Sequence, residues 1–128
     1  MNTRRPSVLR ANHSAPADAV VRSQFNDLEH GFLGWAEHVV NSAGEVSEWH
    51  QHPASETFVY VIRGSLTVRF DVAGRGSVVA MPGDLLRIPA ATVHQELTGT
   101  EEDLEALVVR VGRTPEKVVE PGPVVNSR

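Results

Sequence analysis

The sequence contains no cysteine, which excludes disulfides, thiolate metal sites and catalysis by a cysteine nucleophile. Any metal site must therefore use histidine, carboxylate or water as ligands. Aromatic residues make up only 5 % of the 128 residues, so a core has to be built largely from valine, leucine, isoleucine and alanine. The length suits one domain with one hydrophobic core and leaves no room for two.

The sequence also lacks a basic excess and a long apolar run. Its formal net charge is −4 at pH 7, which argues against a nucleic-acid partner. No run approaches the length of a membrane span, and no apolar stretch of a secretory signal follows the Arg pair near the N-terminus. We therefore expect a cytoplasmic protein with neither nucleic acid nor a membrane as its partner.

Turn-forming residues, by contrast, are plentiful, with 10 glycines and 8 prolines. Between them lie short segments rich in β-branched residues, and "SLTVRF" (65–70) alternates cleanly between two faces. The predicted strands lie within residues 32–44, 45–52, 57–64, 65–70, 77–81, 85–90, 92–99 and 104–111. Short strands with turns at this spacing predict an all-β sandwich or barrel. We interpret residues 1–24 as an N-terminal arm, 25–112 as the barrel and 113–128 as a C-terminal tail.

Histidines and a glutamate cluster where one predicted strand begins, in "EWHQHPASETF". His50 and His52 are two residues apart, so on a strand their side chains point to the same face. Glu56 follows the turn at Pro53 and can fold back toward them. His94, at the start of a later strand, is the candidate for a further ligand. Neutral imidazoles and a carboxylate together suit Fe, Mn, Ni, Cu or Zn.

Each of these residues also has an ordinary explanation. Most H-x-H pairs are surface or packed histidines, and a glutamate such as Glu56 is commonly a solvated turn residue. A histidine such as His94 commonly bonds a backbone group. Their joint occurrence on an all-β pattern is what favours one divalent metal ion.

Two motifs resemble those of the cupin superfamily. The stretch "GEVSEWHQHPASETFVYVIRG" (44–64) resembles the first motif: glycine, five residues, H-x-H, three or four residues, glutamate, about six residues, glycine. The stretch "GDLLRIPAATVHQELT" (83–98) resembles the second: glycine, five residues, proline, one residue, glycine, two residues, histidine, three residues, asparagine. The resemblance implies a single-domain cupin β-barrel, also called a double-stranded β-helix or jelly roll. It further implies that His50, His52, Glu56 and His94 bind the metal.

The sequence departs from these motifs at three positions. Seven residues separate Glu56 from Gly64, so either a bulge absorbs one residue or Thr57 takes the family's glutamate position; we favour the bulge. Ala91 replaces the second-motif glycine, so we expect this corner to avoid a positive φ. Thr98 replaces the asparagine.

A barrel with a metal at one end has an interior cavity for a small molecule. We expect Phe58 or Tyr60, and Trp35 or Trp49, to line it, with Arg87 available to bind an anionic substrate. Plain core packing of the aromatic residues and an exterior, solvated Arg87 are the alternatives.

The resemblance implies three types of function. The first is metal-dependent chemistry on a small organic molecule, dioxygenase-like or of a lyase or isomerase type. The second is a non-enzymatic ligand-binding or sensory module. A metal-independent epimerase-like cupin is the third, and the ligand set argues against it. Since cupin barrels commonly pair through sheet edges, we also expect a homodimer.

Overall fold

The computed structural model describes the backbone of residues 21–27 and, with their side chains, residues 34–71, 73, 75–114 and 116–123. These residues form strands and turns only, so none of them belongs to a helix that could cross a membrane. The strands are β1 Val21–Asp27, β2 Gly34–Asn41, β3 His50–Gln51, β4 Ser55–Arg63, β5 Leu66–Phe70, β6 Gly76–Ala80, β7 Leu85–Ile88, β8 His94–Thr98, β9 Leu104–Gly112 and β10 Val118–Val119.

The strands form two five-stranded antiparallel sheets. Their orders are β1-β2-β9-β4-β7 in sheet A and β10-β3-β8-β5-β6 in sheet B. From β3 to β9 the chain passes repeatedly from one sheet to the other, which is the winding of a double-stranded β-helix. The prediction of an all-β double-stranded β-helix is confirmed.

An aliphatic core fills the space between the sheets. Successive residues of β4 alternate in burial, and its β-branched Val59 and Val61 face inward and are at most 2 % exposed. The core residues are Val39, Val59, Val61, Leu66, Val68, Ala80, Ile88, Leu104, Ala106 and Val108. None of these side chains is aromatic, in keeping with the scarcity of aromatic residues, although Trp35 on β2 is also buried at 4 % exposed.

The extra residue of the first motif is absorbed late in β4. The pairing of β4 with β9 shifts between Val61 and Arg63, just before the turn at Gly64. Gly64 has φ 81°, and a Cβ there would lie 2.5 Å from the carbonyl oxygen of Asp103, so only glycine fits this position. This bulge lies too far along β4 to keep Glu56 in the family's glutamate position, so the alternative, with Thr57 in that position, fits the structure.

The corner between β7 and β8 differs from the prediction. Ala91 has φ 60°, in the left-handed region that the sequence reasoning expected an alanine to avoid. Its amide donates a 3.1 Å hydrogen bond to the carbonyl of His52. This bond joins the two cupin-like stretches, and it requires the bend that a glycine would adopt more easily.

The sheets extend beyond the predicted barrel boundaries at both ends. Residues 21–24 of the predicted arm belong to β1, which pairs with β2 of the same chain; residues 1–20 lie outside the described residues. The predicted tail contains β10, which pairs with β3, and the amide of Glu120 bonds the carbonyl of Trp49. Val118 and Val119 are thus part of sheet B. The homodimer stays a prediction.

Candidate metal centre

Three buried or partly buried side chains meet on the inner face of sheet B. His50 and His94 are paired directly across β3 and β8, and Glu96 follows His94 by two residues on the same face. The Oε2 atom of Glu96 lies 3.2 Å from Nε2 of His50 and 3.4 Å from Nε2 of His94. The two histidines are 4 % and 1 % exposed. One ligand atom from each of the three residues lies within 4.8 Å of the others, so one ion can contact all three.

Each of the two imidazoles is oriented by a hydrogen bond to a backbone carbonyl two residues earlier in the chain. Nδ1 of His50 lies 2.8 Å from the carbonyl oxygen of Glu48, and Nδ1 of His94 lies 2.8 Å from that of Thr92. A carbonyl oxygen only accepts, so Nδ1 donates its proton in both bonds. In the neutral ring this leaves the lone pair on Nε2, the atom that faces Glu96. Histidine ligands of metal ions are commonly held by such an outer bond.

The charges at this point are strongly coupled. Burial alone would raise the pKa of the Glu96 carboxyl, but hydrogen bonds from His50 and His94 outweigh it and hold the pKa far below its ordinary range. Burial lowers the pKa of His50, and its hydrogen bonds to Glu96 and to the Glu48 carbonyl reverse this, so the net change is upward. The carboxylate is therefore ionised, and its position favours a positive charge, from a proton or a metal ion, beside the rings.

His52 lies next to this group. It is 8 % exposed, and its ring stands nearly perpendicular to that of His50, with 5.4 Å between the ring centroids. Of the predicted ligands, the structure therefore brings His50 and His94 together around Glu96, with His52 adjacent to them.

Glu56 is not brought to the histidines, and the expectation that it supplies the carboxylate needs correction. Its carboxylate lies on the outer face of sheet A and accepts hydrogen bonds of 2.9 and 3.1 Å from Arg87. The hydrogen bond from Arg87 lowers the pKa of Glu56. The reason is strand parity. The register shift at Val61 and Arg63 lies too far along β4 to turn Glu56 inward, and Thr57, 3 % exposed, takes the inward position.

The predicted pocket residues are also placed differently. Phe58 and Tyr60 share the outer face with Glu56, and Tyr60 is 44 % exposed, so neither lines the barrel interior. Trp49 is partly buried against the C-terminal segment, where a Cβ at Gly122 would lie 2.7 Å from its ring. Arg87 lies at the rim of a cavity, but its guanidinium bonds Glu56.

The sequence reasoning did not select Glu96 as a ligand. The signal was available, because a residue two positions after His94 on a strand must share its face. It also missed an ion pair within the described residues, in which Arg110 contacts Glu37 at 3.0 Å with both side chains less than 20 % exposed. Arg110 pairs with Thr57 across β9 and β4.

Solved structures of the same fold are known. A conserved protein with a double-stranded β-helix domain from Klebsiella pneumoniae subsp. pneumoniae has a TM-score of 0.61 and 18 % identity, with 91 % of each chain covered. A protein from Bacillus halodurans gives 0.58 and 17 %, covering 72 % of this chain and 68 % of that one. Oxalate oxidase in complex with glycolate gives 0.58 and 21 %.

The match to oxalate oxidase covers 67 % of this chain but only 45 % of the oxidase chain. A search of curated proteins gives no significant match. The family model of the cupin domain matches residues 38–110, which is more than half of the chain and includes both histidine-bearing stretches. The chain therefore belongs to the cupin family.

Proposed function

We propose that this protein is a metal-dependent cupin that acts on a small organic molecule, with His50, His94 and Glu96 holding one divalent transition-metal ion. One observation carries the proposal. Both imidazoles are fixed through Nδ1 to carbonyl oxygens, and both direct Nε2 at the same carboxylate oxygen. In the neutral rings, the lone pairs of both Nε2 atoms then face the carboxylate oxygen, and a proton or a metal ion between them stabilises this arrangement.

The donor set fits such an ion. Two imidazoles and one carboxylate suit Fe, Mn, Ni, Cu or Zn, and the combination is typical of non-haem iron sites with open positions. His52 lies beside His50 but outside the group whose ligand atoms lie within 4.8 Å of one another. A bound ion would supply a Lewis acid for an oxygen-bearing substrate and, if it is iron or manganese, a redox centre.

The protein's own residues would have distinct tasks. The carbonyls of Glu48 and Thr92 hold the two rings in the ligating orientation, and the buried position of His50 and His94 keeps bulk water from their ring atoms. Glu96 supplies the negative charge that partly neutralises the ion. Dioxygenase-like chemistry is one form of the proposal, and the similarity to an oxalate oxidase that binds glycolate supports small oxygen ligands. Lyase or isomerase chemistry is the other form.

The test is elemental analysis of protein purified without an affinity tag. We expect close to one equivalent of a transition metal in the wild type and almost none in His50→Ala. Glu56→Gln is the matched control and should retain the metal, because Glu56 lies on the outer face. Full metal content in His50→Ala, or no metal in the wild type after reconstitution, would refute the proposal.

A second function is favoured by the mainly apolar cavity that opens between β6 and β7. A protein that holds a small molecule without converting it is a binding or sensory module. Turnover assays with the metal-loaded protein, including oxygen uptake with diols and diketones, separate the two. Saturable binding with no product would favour the module.

A further inference from the structure

The outer face of sheet A carries large apolar side chains that contact water. Tyr60, Leu85 and Leu107 are 44 %, 69 % and 41 % exposed. Ile62 and Val111 add similarly exposed side chains on β4 and β9. The solvated face of an antiparallel sheet normally has polar residues at such alternate positions. The composition of this face therefore indicates a surface that another molecule covers.

The strand register makes these side chains one continuous patch. Tyr60 pairs with Leu85 on one neighbouring strand and with Leu107 on the other. In the next outward row, Phe58 pairs with Val109 across β4 and β9. Side chains paired in this way are close enough to touch. We call this group the outer apolar patch; its members are Phe58, Tyr60, Ile62, Leu85, Leu107, Val109 and Val111.

Charged residues border the outer apolar patch at both ends of β4. Near the start of the strand, Arg87 and Glu56 form a 2.9 Å ion pair, and both side chains are more than one-third exposed. Near its end, Arg63 lies 3.7 Å from Glu105, which also lies 2.7 Å from His38. Each end thus presents an acidic and a basic group. Two copies of this face can therefore place opposite charges together whichever way their strands are aligned.

The size and shape of the patch suit a protein partner. Strands β7, β4, β9 and β2 are neighbours in sheet A. At about 4.8 Å between strands and about 3.4 Å per residue, four strands of seven residues have a flat footprint of roughly 400 Å². Together with its charged borders, a pleated face of this extent approaches the roughly 800 Å² per partner of a standard interface. Small molecules bind in concave sites, whereas this is the open face of a sheet.

We propose that a second copy of the chain covers the outer apolar patch, so that two sheets A pack face to face about a two-fold axis. Faces of two sheets pack about 10 Å apart, with their apolar side chains between them. Pairing through sheet edges, which the family resemblance suggested, would leave the patch in water. The proposal does not depend on the metal, because His50 and His94 lie in sheet B.

The first experiment is sedimentation equilibrium of the full chain at protein concentrations from about 5 to 500 µM. For a patch of this size we expect a dimer with a Kd of about 10–100 µM. At about 1 µM the protein is then almost entirely single chains, and unfolding measured there reports on the monomer.

Leu107→Asp should raise the dimer Kd at least about 100-fold, because the two-fold axis brings two carboxylates into the apolar contact. Val46→Asp is the matched control. Val46 is 54 % exposed and is bridged to Leu97 of sheet B, so its Kd should equal that of the wild type. Circular dichroism establishes that both variants are folded.

The second experiment uses the wild-type sequence and needs no substitution. Tyr60 is the single tyrosine of the chain, so labelling with 3-fluorotyrosine gives one fluorine NMR signal from the centre of the patch. We expect this signal to shift with protein concentration with the same midpoint as the sedimentation curve. A soluble paramagnetic agent should broaden it at least about fivefold less in the dimer, where Tyr60 is shielded. This measurement decides the matter even if Leu107→Asp does not fold.

Three results would overturn the proposal. The first is a single chain at every concentration with Tyr60 accessible to the paramagnetic agent. The second is a dimer that Leu107→Asp leaves intact, or that both aspartate variants weaken equally, because the contact then lies elsewhere. The third is a single chain whose Tyr60 is shielded at every concentration. That result would identify another part of the same chain, such as residues 1–20, as the cover.

Discussion

Glu56 and Glu96 are two glutamates close to histidines in sequence, but the fold gives them opposite environments. Glu56 lies on the outer face of β4 and bonds Arg87, whereas Glu96 lies on the inner face of β8 between two imidazoles. Neither the spacing from a histidine nor the residue type tells which glutamate faces the interior. The alternation of side chains along each strand decides it, and in β4 that alternation depends on where the bulge lies. A motif match therefore identifies a site more reliably than it identifies each ligand.

The sharpest test of this comparison replaces the two glutamates in turn. Glu96→Gln should weaken zinc affinity about 1000-fold, or about 4 kcal/mol at 1.4 kcal/mol per tenfold. The loss should exceed the about 10–100-fold that follows removal of an outer partner, because a ligand itself is changed. Glu56→Gln should leave the affinity unchanged. A competition titration with a chromophoric chelator measures both, and the reverse ranking would restore Glu56 as the carboxylate ligand.

The contrast between the inner and outer faces of a strand also predicts different losses of stability for two substitutions on β9. Leu104 is 2 % exposed in the core, whereas Leu107 is 41 % exposed on the outer face. Leu104→Ala should lower the free energy of unfolding by about 3 kcal/mol through lost burial and the cavity left behind. Leu107→Ala should cost less than about 1 kcal/mol. Urea unfolding followed by circular dichroism gives both values, and similar losses would mean that the outer face is covered in solution.

A smaller change in stability is expected at Ala91, in the corner between β7 and β8. Ala91 is held at φ 60° by its bond to His52, which costs about 1–2 kcal/mol for a residue with a Cβ. Ala91→Gly should relieve this and stabilise the protein by about 0.5 kcal/mol, after the entropy lost to a more flexible unfolded chain. Thermal unfolding checks it. Ala90→Gly, without the positive φ, should be destabilising; stabilisation by both variants would point to another cause.

The smallest expected change in stability concerns the ion pair of Glu56 and Arg87 on the outer face of sheet A. The hydrogen bond from Arg87 lowers the pKa of Glu56, so the folded state binds this proton less readily than the unfolded state. The pair thus contributes stability at neutral pH, and the contribution disappears as the pH falls below the ordinary glutamate value of about 4. The difference in unfolding free energy between wild type and Glu56→Gln should be small at pH 7 and should shrink as the pH falls below about 4. A difference that grows at low pH would contradict the assignment.

Much of the fold and part of the site followed from local patterns. Alternation in β5 was predicted correctly because it depends on a few neighbouring residues. His50 and His94 were selected correctly as neighbours from two distant stretches. Glu96 was missed because the family pattern directed attention to Glu56. Strand β10 was missed because two residues next to prolines and glutamates carry no strand pattern of their own.

The sequence by itself determined the fold class, the absence of thiol chemistry and the imidazoles available for a metal. These properties depend on residue type and on periods of two or three residues. The tertiary structure decided which carboxylate meets the imidazoles, which aromatic residues face outward and where the interior opens. Those outcomes depend on the position of the bulge in β4, on the pairing of β3 with β8, and on the edge strands β6 and β7, which do not pair with each other. They arise from contacts between residues far apart in the chain, which local spacing does not encode.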